Sequence, residues 1–323
     1  MFKIQENVPL ASYTTLKVGG SARYFVEINH QSDLKKVLML AKKKEWNVFV
    51  LAGGSNVLIS DQGFNGLVIK LNTQRTKIIT ESQKKIIIEV DAGVSLNELV
   101  NLAYQRGWSG LEWAIGIPGT LGGAVYNNAG AFSKTIGELV IKVKVLRKQN
   151  NLQLGSFQVF SDVIKMSAHK CKFSYRSSIF KEEKKWILLS AILNLKIGEK
   201  NIIEKKQKEY LKKRQDKQPN GFSAGSFFKN PRVDNKKLIL QFEKEKGIKS
   251  IDQKIPAGWF IEKLGIKGKK IGGAQISEKH ANFLINTGNA TAEDFIILAG
   301  IIKQKVRNHF GVQLKEEVEM IGF

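Results

Sequence analysis

The sequence predicts an α+β fold in three successive units, and three observations carry that expectation. Short apolar runs alternate with amphipathic helical stretches along the whole chain. Capping residues and glycines punctuate them at helix and turn boundaries. A lysine-rich helical stretch over 200–214, polar on most sides, reads as a connector before the last unit.

Residues 22–28 read as a strand, and Ser32 is placed to cap a helix whose apolar stripe is Leu34, Val37, Leu38 and Ala41. Residues 48–51 are a short buried strand running into a glycine loop, and 67–70 are another strand. The second unit opens with a strand over 85–90. Ser95 and Glu98 are spaced as a capping box for a helix with Leu96, Leu99, Val100 and Ala103 inward, ending at Gly107. Strands follow over 140–147 and 186–194. In the third unit, Pro256 opens a helix over 256–264 closed by Gly265, and 281–286 read as a strand. Thr291 with Asp294 caps a long helix carrying Phe295, Leu298, Ile302 and Val306 on one stripe, with Gly311 past its end. The last segment, from Val312 onward, alternates like a strand.

Composition narrows the function classes. The 323 residues are 42% apolar and 25% charged, enough to build several cores. The apolar runs are too short to span a membrane, and the N-terminus lacks the apolar region of a signal peptide. One cysteine, Cys171, excludes an intrachain disulfide and any metal site built of cysteines, and the four histidines fall at no metal-ligand spacing. A cytoplasmic protein fits these features. The net charge of +23, from 52 basic against 29 acidic residues, invites a nucleic-acid reading. The lysines, however, occur along the whole chain, and the densest run, Lys205 to Lys217, is a mixed-charge helix, as on a solvated surface that draws in small anions.

Chemistry concentrates in three glycine-bearing stretches. Gly53-Gly54-Ser55-Asn56 can turn successive backbone N–H groups toward a phosphate, and by itself reads first as a tight turn between strands. It is not a dinucleotide-binding GxGxxG, because Val57-Leu58-Ile59 continues extended rather than helical, and no Gly-Lys-Ser/Thr follows to make a P-loop. The second stretch has five glycines among residues 116–130, and its small residues could let a flat ring lie against backbone. The third, Gly225-Ser226-Phe227-Phe228-Lys229-Asn230-Pro231, places a hydroxyl, an ammonium and an amide close together. Arg176 offers a planar fork suited to a carboxylate, and Glu316-Glu317 are adjacent acids of which only one can face a given side of a strand.

In their order these stretches resemble the UDP-N-acetylenolpyruvoylglucosamine reductases, in their shorter second class. The resemblance is carried by 13–20, 51–58, 116–130, 171–178, Gln218-Pro219, 223–231, 257–262, Lys267-Gly268, 271–274, His280-Ala281-Asn282-Phe283 and 310–318. It implies an α+β, three-domain flavoprotein: a vanillyl-alcohol-oxidase-like (PCMH-type) FAD-binding region in two subdomains, 1–75 and 76–215, and a C-terminal α/β substrate-binding domain, 216–311. A terminal strand over 312–323 then carries a catalytic acid. It implies tightly bound, non-covalent FAD, NADPH as co-substrate, and an enolpyruvyl UDP-sugar reduced for peptidoglycan synthesis by a monomer that binds no nucleic acid, metal or membrane.

By the same resemblance, Arg176, Ser226 and Glu317 are catalytic. Arg176 binds the substrate carboxylate, Ser226 donates a proton to C2, and Glu317 polarises or protonates the carboxylate. FAD contacts fall to Gly53, Gly54, Ser55, Asn56, Gly116, Ile117, Gly119, Thr120 and Gly123, and substrate contacts to Lys217, Asn230 and Lys267. The chain departs from the family's common pattern at Glu319, where an arginine often stands. A flavin oxidase would share the cofactor loops, but not the pairing of Tyr175-Arg176 with the third glycine stretch.

Overall fold

A computed structural model describes residues 2–150, 158–160 and 163–323. The backbone groups into two compact units, both discontinuous in sequence. The first contains 1–8, 22–54 and 65–216; the second contains 9–21, 55–64 and 217–323.

In the first unit, a small sheet orders its strands Gln5–Pro9, Ser21–Ile28, Phe64–Leu71 and Val48–Leu51, the last two parallel. The helix Gln31–Lys43 buries Leu34, Val37, Leu38 and Ala41 with Val26, Leu67 and Ile69. That is the expected stripe, but the helix starts two residues earlier than a Ser32 cap would allow. His30 holds the cap position with extended backbone and no side-chain cap, so Ser32 lies inside the first turn. A larger antiparallel sheet is built on Val140–Asn150, Trp186–Ile197 and Lys85–Asp91, with Thr76–Glu81 at one edge. Against it packs Leu96–Arg106, capped by Ser95 through the Glu98 N–H and closed by Gly107 at φ 72°. The connector helix runs from Lys200 to Lys217 and buries Ile203.

The second unit carries a four-stranded antiparallel sheet in the order Phe222–Ser226, Phe283–Asn286, Ala274–Ile276, Lys270–Ile271. Its core joins Phe227, Phe228, Phe260 and Phe295 to the buried face of Ala292–Phe310. The Thr291–Asp294 capping box forms as its spacing requires. The helix over 256–264 forms as Ala257–Lys263, with Pro256 in the cap position. A helix absent from the sequence reading, Lys236–Lys246, buries only Phe242.

Two short early segments belong to this second unit because their apolar side chains bury there. Leu16, Val18 and Leu58 sit in the same core as Phe227 and Phe295. Val57–Ile59 pairs in parallel with Glu319–Ile321, and of the alternating C-terminal segment from Val312 onward only these three residues form a strand. Among the described residues, no helix is long and apolar enough to cross a membrane, and no His, Cys, Asp and Glu side chains cluster to hold a metal.

Candidate active site

In the first unit, the two glycine stretches touch backbone to backbone. A Cβ on Gly53 would overlap the Cα of Gly119, and a Cβ on Gly123 would press the Ala52 side chain at 3.2 Å. Only glycine permits the first approach. The second stretch is not loop throughout, since Leu121–Asn127 is a helix capped by Thr120. Sequence reading missed it because Gly122 and Gly123 are poor helix formers. Tertiary packing overrides propensity here: a Cβ on Gly122 would meet the Ala92 Cβ at 2.8 Å, and its N–H donates to the Ala92 carbonyl.

The helix start consumes donors that the sequence leaves open. Leu121 N–H donates to the Val94 carbonyl, Gly123 N–H to the Thr120 hydroxyl, Ile117 N–H to the Ala114 carbonyl and Gly116 N–H to Asn97 Oδ1. Gly116, Ile117 and Gly123 therefore offer a ligand bare surface rather than donors. The N–H groups of Gly53, Gly54, Gly119 and Thr120 have no protein acceptor among the described residues. Gly54 is buried. These donors are open to an acceptor from outside the protein, and a pyrophosphate fits them.

Arg214 adds a cation that sequence reading did not single out, because it lies in a run of basic residues. Its guanidinium donates to the Trp113 carbonyl at 3.1 Å and stands 5.2 Å from the Phe132 ring centroid. The buried Nε has no protein acceptor among the described residues, and a Cβ on Gly116 would touch Arg214 Cδ at 3.4 Å. Burial of the charged group lowers its pKa.

Arg176 lies past the C-terminal end of the Leu121–Asn127 helix, where its turn meets Asn128 and Gly130. Ser174 and Ser177 exchange both backbone hydrogen bonds (3.1 and 3.2 Å), so Tyr175 and Arg176 form a two-residue tip. Arg176 sits there at φ 54°, a left-handed conformation uncommon for a side chain of its size. Asn128 Nδ2 holds the turn through the Ser174 carbonyl at 2.8 Å, and Arg176 Nη2 donates to the Gly130 carbonyl at 2.7 Å. Nearby Cys171 is buried, its thiol pushed up to about 11 by burial, which makes it a poor nucleophile.

In the second unit, Ser226 ends the strand Phe222–Ser226, opposite Phe283, after a register shift. The next residues pair with the chain bearing the adjacent acids: Glu317 N–H donates to the Phe227 carbonyl at 2.8 Å and Lys229 N–H to the Lys315 carbonyl at 2.9 Å. Glu316 turns to Lys303, 2.7 Å away, which separates its role from that of Glu317. Asn56 Nδ2 donates to the Glu317 carbonyl at 3.2 Å, so this side chain of the first glycine stretch steadies the acid's backbone. Asn230 Oδ1 accepts from the Ala257 N–H and caps the Ala257–Lys263 helix that Pro256 cannot cap. Lys217 and Lys267 are exposed, and the charges of both bear on the His280 ring.

A family described as the UDP-N-acetylenolpyruvoylglucosamine reductase C-terminal domain matches residues 217–321, and an FAD binding domain family matches 22–152. A UDP-N-acetylenolpyruvoylglucosamine reductase of Caldanaerobacter subterraneus subsp. tengcongensis is 37% identical over 99% of this chain and 94% of its own length. One from Carboxydothermus hydrogenoformans is 38% identical with the same coverage. The crystal structure of the Thermus caldophilus enzyme superposes with a TM-score of 0.74 at 30% identity, covering 99% of this chain and all of that one.

Proposed function

The chain belongs to the UDP-N-acetylenolpyruvoylglucosamine reductase family, and on that premise we propose how its own residues carry the reaction. It is an FAD-dependent oxidoreductase that reduces UDP-N-acetylenolpyruvoylglucosamine to UDP-N-acetylmuramate for the cell wall. When bound, FAD would supply the hydride chemistry that links NADPH to C3 of the enolpyruvyl group.

The free N–H groups of Gly53, Gly54, Gly119 and Thr120 hold the pyrophosphate of FAD, with Ser55 beside them and Asn56 bracing Glu317. Gly116, Ile117 and Gly123 present bare surface to the ring system. Arg176 binds the substrate carboxylate through its fork and stabilises the negative charge that grows there as hydride reaches C3. Glu317 shares that carboxylate as a hydrogen-bonding acid. Ser226 Oγ gives its proton to C2, the most basic atom once hydride has arrived, and solvent restores it. Asn230, Lys217 and Lys267 contact the UDP-sugar, the two lysines at its diphosphate. NADPH is the reductant, and the setting is the cytoplasm.

The observation that carries this reading is the direct backbone pairing of the Ser226 and Glu317 segments, which gives proton donor and acid one common support. Anaerobic stopped-flow absorbance at the oxidised flavin band tests it. NADPH should bleach the band, and the enolpyruvyl sugar should then restore it. Bleaching that the sugar does not reverse would sink this substrate.

A further inference from the structure

Asn282 is 3% exposed and immediately precedes the strand Phe283–Asn286. Its side-chain amide addresses both backbone groups of one residue: Phe228 N–H donates to Oδ1 at 3.0 Å, and Nδ2 donates to the Phe228 carbonyl at 2.8 Å. Its main-chain carbonyl accepts from the Phe227 N–H at 2.7 Å. Regular pairing with the Phe222–Ser226 strand ends at Ser226↔Phe283. Beyond that point a side-chain amide stands in for the missing peptide.

The opposite edge of the same segment is what holds the acid. Phe227 accepts from the Glu317 N–H, and Lys229 donates to the Lys315 carbonyl. Residues 226–229 are thus clamped on one side by Asn282 and on the other by the Glu317 chain. Any slip of this segment would move Ser226 and Glu317 together. An asparagine is required on chemical grounds: aspartate lacks the donor, and glutamine adds a methylene where the bonds are already 2.8 and 3.0 Å long. A buried amide that lost one of these partners would carry the full cost of an unmade bond.

We propose that Asn282 is a positioning residue for the reduction. Acting through the Phe227–Phe228 backbone, and without itself being assigned to the substrate, it sets the place of the Ser226 hydroxyl and the Glu317 carboxyl. This rests on the roles given above to those two residues.

The test compares the two half-reactions of flavin-loaded protein by anaerobic stopped flow, for Asn282→Ala, Ser226→Ala and the double variant. Bleaching by NADPH should stay within about two-fold of the parent, while sugar-dependent recovery slows about 100-fold in Asn282→Ala, as for a misplaced reacting group. In the Ser226→Ala background the same change should cost only about ten-fold, because one of the two groups it positions is gone and Glu317 remains. Equal slowing of both half-reactions, or a full loss repeated in the Ser226→Ala background, would overturn the proposal, since a general loss of fold moves both. Unchanged recovery in Asn282→Ala beside slow recovery in Ser226→Ala overturns the positioning role alone. Unchanged recovery in Ser226→Ala sinks the underlying assignment as well. If Asn282→Ala does not fold with flavin, Asn282→Asp, which keeps the acceptor and loses the donor, is read by the same ratios.

Discussion

Glu316 and Glu317 share a sequence context and differ in what they touch. Glu316 is spent on Lys303, a partly exposed pair worth about 0–1 kcal/mol. Glu316→Gln should therefore leave sugar-dependent flavin recovery within about two-fold of the parent. Glu317→Gln should slow that step by about 100-fold or more with little change in melting temperature, as expected for charge stabilisation made in the transition state. Comparable losses in both variants would remove the distinction. Gly53 works differently, through the space it leaves empty. In Gly53→Ala the new methyl runs into the Gly119 backbone, which cannot retreat as a flexible side chain would. The expected cost is about 1–3 kcal/mol of stability, together with loss of flavin absorbance per mole of protein. Retention of full flavin would show that the contact between the two stretches does not shape the cofactor site.

At the scale of elements, cap and strand ends hold the second unit together. Asp61 Oδ1 accepts from the Ala292 N–H at 2.9 Å and Oδ2 from the Glu293 N–H at 3.1 Å, fastening the short 55–64 segment to the start of the Ala292–Phe310 helix. Asp61→Ala should cost about 1–2 kcal/mol by the usual worth of an anionic cap, read from denaturant unfolding; no loss would make the cap redundant beside the Thr291–Asp294 box. His280 sits at the other end of this framework. Its Nδ1 accepts from the Asn282 N–H at 3.2 Å, and its ring lies 4.7 Å from that of Phe283. Burial lowers its pKa; Lys217 and Lys267 lower it further, while Glu262 opposes them. With the folded value below the unfolded one of about 6.5, the stability that His280 contributes is present above that pH and lost as pH falls through the folded value. Protonation also removes the acceptor for Asn282. The parent should thus lose more thermal stability than His280→Gln on going from about pH 7 to about pH 5; identical slopes would place the acid sensitivity elsewhere.

Over the whole molecule, +23 net charge confronts anionic ligands: FAD, NADPH and a UDP-sugar all carry diphosphates. The long-range part of that attraction is screened by salt. The value of kcat/KM for the sugar should fall as ionic strength rises past about 0.15 M, while kcat holds; a kcat/KM insensitive to salt would leave the surface lysines without a steering role. The same charge, read along the sequence, carries no such information, because evenly spread lysines look alike whether they steer a ligand or only meet water. Arg214 shows the limit most plainly. Within Lys212-Lys213-Arg214 it is one basic residue of three, yet it is the half-buried one, its Nε shielded from solvent and its Cδ against Gly116.

What the sequence determined by itself is local or ordered: the apolar stripes of Gln31–Lys43 and Leu96–Arg106, the Ser95 and Thr291 caps, and the ordered motifs that identify the family. These follow from periodicity, hydrogen bonding within a turn, and residue identity, all of which act over a few positions. The tertiary structure alone decided which backbone donors stay free in the glycine stretches, that Leu121–Asn127 is helical despite two glycines, and that residues 9–21 and 55–64 fold with the C-terminal unit. It also decided that Asn56 and Asn282 are spent on the backbone holding Glu317 and Ser226. Each of these depends on groups far apart in the chain arriving at contact distance. No periodicity within either segment records such an encounter, because it is settled by burial and hydrogen-bond satisfaction in the folded chain.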